Sequence, residues 1–168
     1  MKRLLLCRHA KSSWKDPSLA DRDRPLNRRG KRDAPLMGER LAARGIVPDA
    51  MVTSPARRAR KTAKHLARKL GYPLAGIRII DAIYGATPAV LLDCIHRFDP
   101  AWQQVIMVGH NNEFTLLANM LGRMTIGNVP TAGIVCLDFS VSSWQDVDAG
   151  GGSPVFFDYP KKLMTRQE

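Results

Sequence analysis

Leu4-Leu5-Leu6-Cys7-Arg8-His9 is the stretch on which the reading of the fold turns. Four apolar residues closing on a cation and an imidazole read as a short buried strand that delivers a histidine at its end. A second run, Val105-Ile106-Met107-Val108, ends in the same way on Gly109-His110-Asn111. Core packing seldom requires two histidines at two strand ends. In open parallel sheets ligands bind outside the carboxyl ends of the strands. Both imidazoles are therefore expected to face one crevice.

Outward from these runs, strand-like segments alternate with helical patterns, which predicts an α/β fold with a mainly parallel sheet covered by helices. Strands are expected near Arg3–Cys7, Ala50–Thr53, Ile77–Ile80, Val105–Val108, Gly133–Phe139 and Pro154–Tyr159. Met37 and Leu41 mark a helix ending near Gly45, which starts either after an Asn27 cap or around Asp33 with Pro35 in its first turn. Ser54-Pro55 predicts the next helix start, serine as N-cap and proline as first helical residue. Ala59, Ala63, Leu66 and Leu70 form its inner face, and Gly71 its end. Thr87-Pro88 opens a third helix, and Phe114, Leu117 and Leu121 mark a fourth. Gly150-Gly151-Gly152 lacks the spacing and lysine of a phosphate-binding loop and reads as a turn.

The chain has 168 residues, 45% of them hydrophobic, which fits one globular domain over 1–168 with a single substantial core. The start, Met1-Lys2-Arg3 before four apolar residues, is too short for a signal peptide or membrane span, so a cytoplasmic location and no membrane association are expected. Cys7, Cys94 and Cys136 are odd in number and widely spaced, which predicts buried, reduced thiols. The net charge of +11 is concentrated in Arg24–Arg32 and Arg57–Lys69 and attracts phosphate in any form, although a solvated helix face explains part of it. Nucleic-acid binding is disfavoured, because no zinc finger or RNP-type aromatic pattern accompanies the charge.

Which residues could act at the crevice? Arg8 and His9 end one strand, His110 ends another, and Arg58 falls in the first turn of the Ser54 helix. The unpaired N–H groups of that helix start also favour an anion. Two arginines, two histidines and a helix N-terminus make a dianion site, and planar guanidinium forks suit a phosphoryl group. A neutral imidazole is a competent nucleophile toward phosphorus. Arg8 and Arg58 are expected to hold the His9 pKa down. Phosphoryl transfer to His9, then hydrolysis of the phosphohistidine, follows as the expected chemistry. Other chemistries lack their residues. Six positions after Cys7 stands Ser13, where a cysteine phosphatase needs arginine. No metal-ligand spacing joins His9, His65, His96 and His110, and there is no GxSxG elbow. His65 and His96 sit in helical stretches and read as structural or solvated. No metal or cofactor is expected.

Arg8-His9-Ala10-Lys11-Ser12 resembles the Arg-His-Gly signature of the histidine phosphatase superfamily, which includes the phosphoglycerate mutases, with alanine in the place of glycine. Ser54 to Thr62 is similar to the family's arginine motif, in which arginine precedes alanine and threonine follows three residues later. That register selects Arg58 over Arg57. Gly109-His110-Asn111 resembles the second-histidine motif, and Arg24-Pro25-Leu26-Asn27 with Gly30 a phosphate-binding segment. The resemblance spans nearly the whole chain and is nearest to SixA-type phosphohistidine phosphatases. It implies a three-layer α/β/α sandwich with a mainly parallel central sheet. It implies His9 as nucleophile and Arg8, Arg58 and His110 around the phosphoryl group. Arg24, Asn27, Ser12 and Asn111 are the further candidate phosphate contacts.

Mutase-like relatives carry a carboxylic acid donor after the third strand, at a position that falls near Ile83 or Tyr84 here. Asp81 is the nearby carboxylate, but its register is wrong for the role. An alkoxide leaving group needs a proton, whereas phosphohistidine leaves readily once its distal nitrogen is protonated. The twenty residues between Tyr84 and Val105 hold one helix and leave no room for a large lid. Protein phosphohistidine is therefore the expected substrate. A small phosphorylated metabolite, such as a sugar phosphate or nucleotide, is the alternative enzyme reading. A catalytically weak phosphate-binding regulatory module is the alternative from another class.

Overall fold

The two apolar runs that carry the histidines lie side by side. The computed structural model describes residues 1–162, and in it β1 (Lys2–Arg8) pairs in parallel with β4 (Gln104–Gly109), from Arg3 opposite Gln104 to Arg8 opposite Gly109. Both strands run out at the same edge of the sheet. Their uninterrupted apolar sequence has a simple cause. Leu4, Leu6, Val105 and Met107 face one core, while Leu5, Cys7, Ile106 and Val108 face the other. A strand covered on both faces needs apolar residues at every position.

Four more strands complete the sheet: β2 (Ala50–Thr53), β3 (Arg78–Ile79), β5 (Ile134–Phe139) and β6 (Gly152–Asp158), in the order β3-β2-β4-β1-β5-β6. β1 to β4 are mutually parallel; β5 runs antiparallel to β1, and β6 antiparallel to β5. Helices α1 (Arg28–Ala43) and α2 (Arg57–Leu70) pack on one face through Met37, Leu41, Ala59, Ala63 and Leu66. Helices α3 (Pro88–His96) and α4 (Glu113–Gly122) cover the other through Leu91, Ile95, Phe114, Leu117 and Leu121. The architecture is a three-layer α/β/α sandwich with a mainly parallel sheet and no large insertion. Among the described residues no helix is long and apolar enough to cross a membrane. The three cysteines are free and buried, and burial pushes the Cys7 and Cys136 thiols up to about 12.

Several boundaries differ from the sequence expectation. α1 starts at Arg28 under an Asn27 cap, whose side chain accepts from the Gly30 N–H at 2.9 Å, so Pro35 lies inside the helix and the later start near Asp33 is corrected. Gly30 is what permits the early start, because a Cβ there would strike the Lys11 carbonyl. α2 begins at Arg57, three residues after Ser54; Ala56 is its N-cap residue, and the Ser54 hydroxyl bonds the Ala56 N–H instead of capping the helix. β3 is confined to two residues because the chain turns at once into a 3-10 turn, Asp81–Ile83. Gly152 belongs to β6 opposite Phe139, which limits the glycine turn to Gly150 and Gly151.

Candidate active site

His9 and His110 follow the adjacent strand ends directly, and the His9 N–H bonds the Gly109 carbonyl at 2.9 Å. Their ring centroids are 5.2 Å apart. Gly109 allows this turn to close, since a Cβ there would come within 2.5 Å of the Phe114 ring. His9 Nδ1 lies 2.7 Å from the Ala10 carbonyl. A carbonyl can only accept, so Nδ1 carries the proton and Nε2 keeps its lone pair. Arg58 Nε stands 3.4 Å from that Nε2. Burial is the main reason the His9 pKa falls to about 3, with His110, Arg58 and Arg8 adding to it; His110 is lowered to about 4, again chiefly by burial. The sequence reading attributed the shift to the arginines alone. Desolvation of the charged ring is the larger cause.

Thr62, one turn into α2, holds the two halves together. Its hydroxyl accepts from the Ala10 N–H at 2.9 Å and donates to the Arg58 carbonyl at 2.8 Å. The threonine of the arginine motif thus ties the residue after His9 to the helix that presents Arg58. Arg58 is buried and points inward while Arg57 is exposed, as the register predicts. His110 Nε2 lies 2.7 Å from Ser54 Oγ, which gives Ser54 a task at the site in place of the helix cap. Arg8 Nη1 donates to the Val129 carbonyl at 2.9 Å, whereas its buried Nε has no partner within the protein and can donate to an anion.

Asp21 was not read from the sequence as a site residue, yet three side chains converge on it through four hydrogen bonds. Arg58 donates to its carbonyl at 2.6 Å and to Oδ2 at 2.9 Å; Arg24 donates to Oδ1 at 3.1 Å; the Tyr84 hydroxyl donates to Oδ2 at 2.6 Å. The Tyr84 bond, then Arg58 and Arg24, hold this carboxyl well below the usual carboxylate range, and the same bond raises the Tyr84 phenol. The only trace in sequence is a carboxylate three residues before Arg24. Arg24 also donates to Ser12 Oγ at 2.5 Å and lies over the exposed Trp14 ring, 3.2 Å from its centroid. Trp14 therefore rims the site, whereas Trp144 is core. Three guanidiniums face one carboxylate and two neutral imidazoles, an excess of positive charge suited to a phosphoryl dianion.

Two of the candidate contacts have other tasks. Asn27 caps α1, as above. Asn111 accepts from the Thr115 N–H and hydroxyl at 3.1 and 2.7 Å and donates to Asn128 at 2.7 Å, so its amide braces the 128–129 loop instead of offering a donor to phosphate. Ser12 is buried against Arg24 and positions it. Asp81 opens the 3-10 turn, exposed and outside the site's hydrogen bonds. The expected donor position holds Ile83, buried in the core, and Tyr84, whose ring meets His110 edge-on at 5.5 Å. His96 bonds the Val147 carbonyl, a structural role.

The model of the histidine phosphatase superfamily (branch 1) matches residues 4–81, the part that carries Arg8, His9, Arg24 and Arg58. The uncharacterized protein Rv1276c of Mycobacterium tuberculosis is 34% identical over 164 residues, covering 92% of this chain and 99% of that one. The chain belongs to the histidine phosphatase superfamily. Among solved histidine phosphatase folds, a SixA chain of Agrobacterium tumefaciens, described as a candidate phosphohistidine phosphatase, superposes with a TM-score of 0.78 at 30% identity, over 95% of this chain and 98% of that one. The mycobacterial glucosyl-3-phosphoglycerate phosphatase Rv2419c shares the fold, with a TM-score of 0.66 at 17% identity over 95% and 98% of the two chains. Family and neighbours together support a phosphatase.

Proposed function

We propose that this single domain hydrolyses protein phosphohistidine through a covalent intermediate on His9. Nε2 of the neutral imidazole attacks phosphorus while Arg8, Arg24 and Arg58 take the charge on the phosphoryl oxygens. The bond to the substrate's imidazole breaks, and that ring leaves neutral because its distal nitrogen already carries a proton. Water then attacks the phosphoryl group on His9, the P–N bond breaks with its electron pair returning to Nε2, and dihydrogen phosphate departs with both of the water's protons while the His9 ring returns to its neutral Nδ1–H form. His110, whose ring centroid lies 5.2 Å from that of His9, takes the role of hydrogen-bonding the transferring group in this reading.

The observation that carries the substrate assignment is the state of the acid. Among the described residues the carboxylate of this site is Asp21, and its bonds to Arg58, Arg24 and Tyr84 keep it ionised. An ionised carboxylate has no proton for an alkoxide. A phosphoramidate makes no such demand, so phosphohistidine fits the site better than a sugar phosphate does. The three guanidiniums supply the charge that a metal ion supplies elsewhere, and turnover is expected to persist in a chelator.

The test is a rapid quench without acid, run in parallel on a carrier domain phosphorylated on histidine and on an aryl phosphate, with wild type and His9→Ala. Faster turnover of the carrier, lost in the variant, is the expected result. Turnover of the aryl phosphate alone would move the substrate to small metabolites while keeping the His9 chemistry. No turnover and no label on His9 would leave a phosphate-binding module.

A further inference from the structure

Beside the crevice, α2 carries a second line of cations. Arg57, Lys61, His65 and Arg68 recur at spacings of four, four and three and so lie along one side of the helix. Lys31 of α1 stands across from them, Pro25 and Leu26 complete the lining, and together they form a groove of about 350 Å³. One end of it adjoins the phosphoryl site: Arg57 precedes Arg58, and Pro25 follows Arg24.

Two observations separate this groove from a solvated helix face. Elsewhere on and beside these helices Arg29 and Arg32 pair with Asp33, Arg40 and Arg44 with Asp158, and Lys69 with Glu39, while Arg28, Arg60 and Lys64, without an ion pair among the described residues, lie outside the groove. Among the described residues Lys31, Arg57, Lys61 and Arg68 make no ion pair. The uncompensated charge also acts on the groove's own histidine: half-buried His65 has its pKa lowered, first by burial and then by Arg68 and Lys61. The groove thus holds positive charge that the fold does not neutralise, next to walls of aliphatic side-chain stems.

We propose that this groove receives an acidic helix of the protein that bears the phosphohistidine, an inference that rests on the substrate reading above. From Arg57 to Arg68 the helix rises by about 16 Å, more than a phosphoryl group or sugar phosphate spans. Successive cations stand about one helical turn apart, the interval at which carboxylates recur along an acidic helix. Single-stranded nucleic acid binds by stacking its bases on aromatic side chains, and no Phe, Tyr or Trp lines this groove. The docking charge raises encounter and affinity for the protein substrate without touching the reacting atoms.

The experiment compares kcat/KM for a histidine-phosphorylated acidic carrier domain with kcat/KM for a free phosphoramidate. In K61E/R68E the ratio is expected to fall on the order of tenfold, with the loss in KM. In R97E/R123E, the same charge change on the α3–α4 face, the wild-type ratio is expected to persist. A polyglutamate peptide should compete for the carrier domain in wild type and not in K61E/R68E. Phosphoramidate turnover reports that each variant is folded, and K61Q/R68Q gives a milder second test. An equal ratio in both charge-reversed pairs overturns the groove while the substrate reading stands. A wild type that hydrolyses phosphoramidate but not the carrier domain overturns both. Competition by single-stranded RNA alone would overturn the protein partner in favour of nucleic acid.

Discussion

At His9, burial keeps the imidazole neutral and the Ala10 carbonyl keeps its proton on Nδ1, so Nε2 is available to phosphorus at any pH above about 4. Ring-nitrogen NMR should show His9 and His110 without a transition near the ordinary midpoint of about 6.5. A transition there would overturn the desolvated site. Arg58→Ala is expected to lower kcat about 100- to 1000-fold, the effect of removing one preorganised donor from a developing charge, as read by steady-state kinetics on the phosphohistidine carrier. An unchanged kcat would mean that Arg58 serves only Asp21. At this scale the sequence shows His9, Arg8 and His110 plainly, because each ends an apolar run. It does not show Asp21. A carboxylate in a polar loop looks the same whether it meets water or two arginines, and only the folded chain distinguishes the cases.

Elements place these residues through a few specific contacts. The parallel register of β1 and β4 sets the two histidines side by side, and Thr62 clamps the β1 exit to α2. Gly109→Ala should destabilise the fold by about 1–3 kcal/mol, since its Cβ must displace the Phe114 ring; urea unfolding measures this, and no loss would show that α4 yields freely. The loop around Asp21 reaches Arg58, Arg24 and Tyr84 from three different parts of the chain. In Asp21→Asn the Tyr84 phenol should titrate lower than in wild type by NMR, and kcat/KM should fall on the order of ten- to hundredfold through misplaced guanidiniums. A Tyr84 titration identical to wild type would sink that account. Element types follow from periodicity, but the α2 start does not. Ser-Pro is a strong local signal for a cap, and the tertiary contact of Ser54 with His110 overrides it.

At the scale of the whole molecule, the two buried histidines link stability to pH. Folded, their pKa values are about 3 and about 4; unfolded, about 6.5. The unfolded chain therefore binds more protons between these limits. The stability these groups contribute is complete above about pH 6.5 and is lost as pH falls toward 4. The urea midpoint should drop between pH 7 and about 4.5, and His9→Asn/His110→Asn should flatten that dependence. An equally steep fall in the double variant would assign the acid sensitivity to the carboxylates.

The sequence by itself determined what depends on local order. Uninterrupted apolar runs specify strands buried on both faces, three- and four-residue spacings specify the helices, and together they require a covered parallel sheet with its ligand site at the strand ends. The resemblance of Ser54 to Thr62 to the family's arginine motif implied that Arg58 faces inward and Arg57 outward, and the structure has Arg58 buried and Arg57 exposed. Only the tertiary structure decided the partners of the polar groups: Asp21 with the arginines, Ser54 with His110, Asn27 and Asn111 with backbone or loop, and the groove cations Arg57, Lys61 and Arg68 with no carboxylate among the described residues. The reason is physical. Apolar burial is non-directional and leaves a periodic trace in sequence, whereas a hydrogen bond or ion pair depends on distances and angles between residues far apart in the chain.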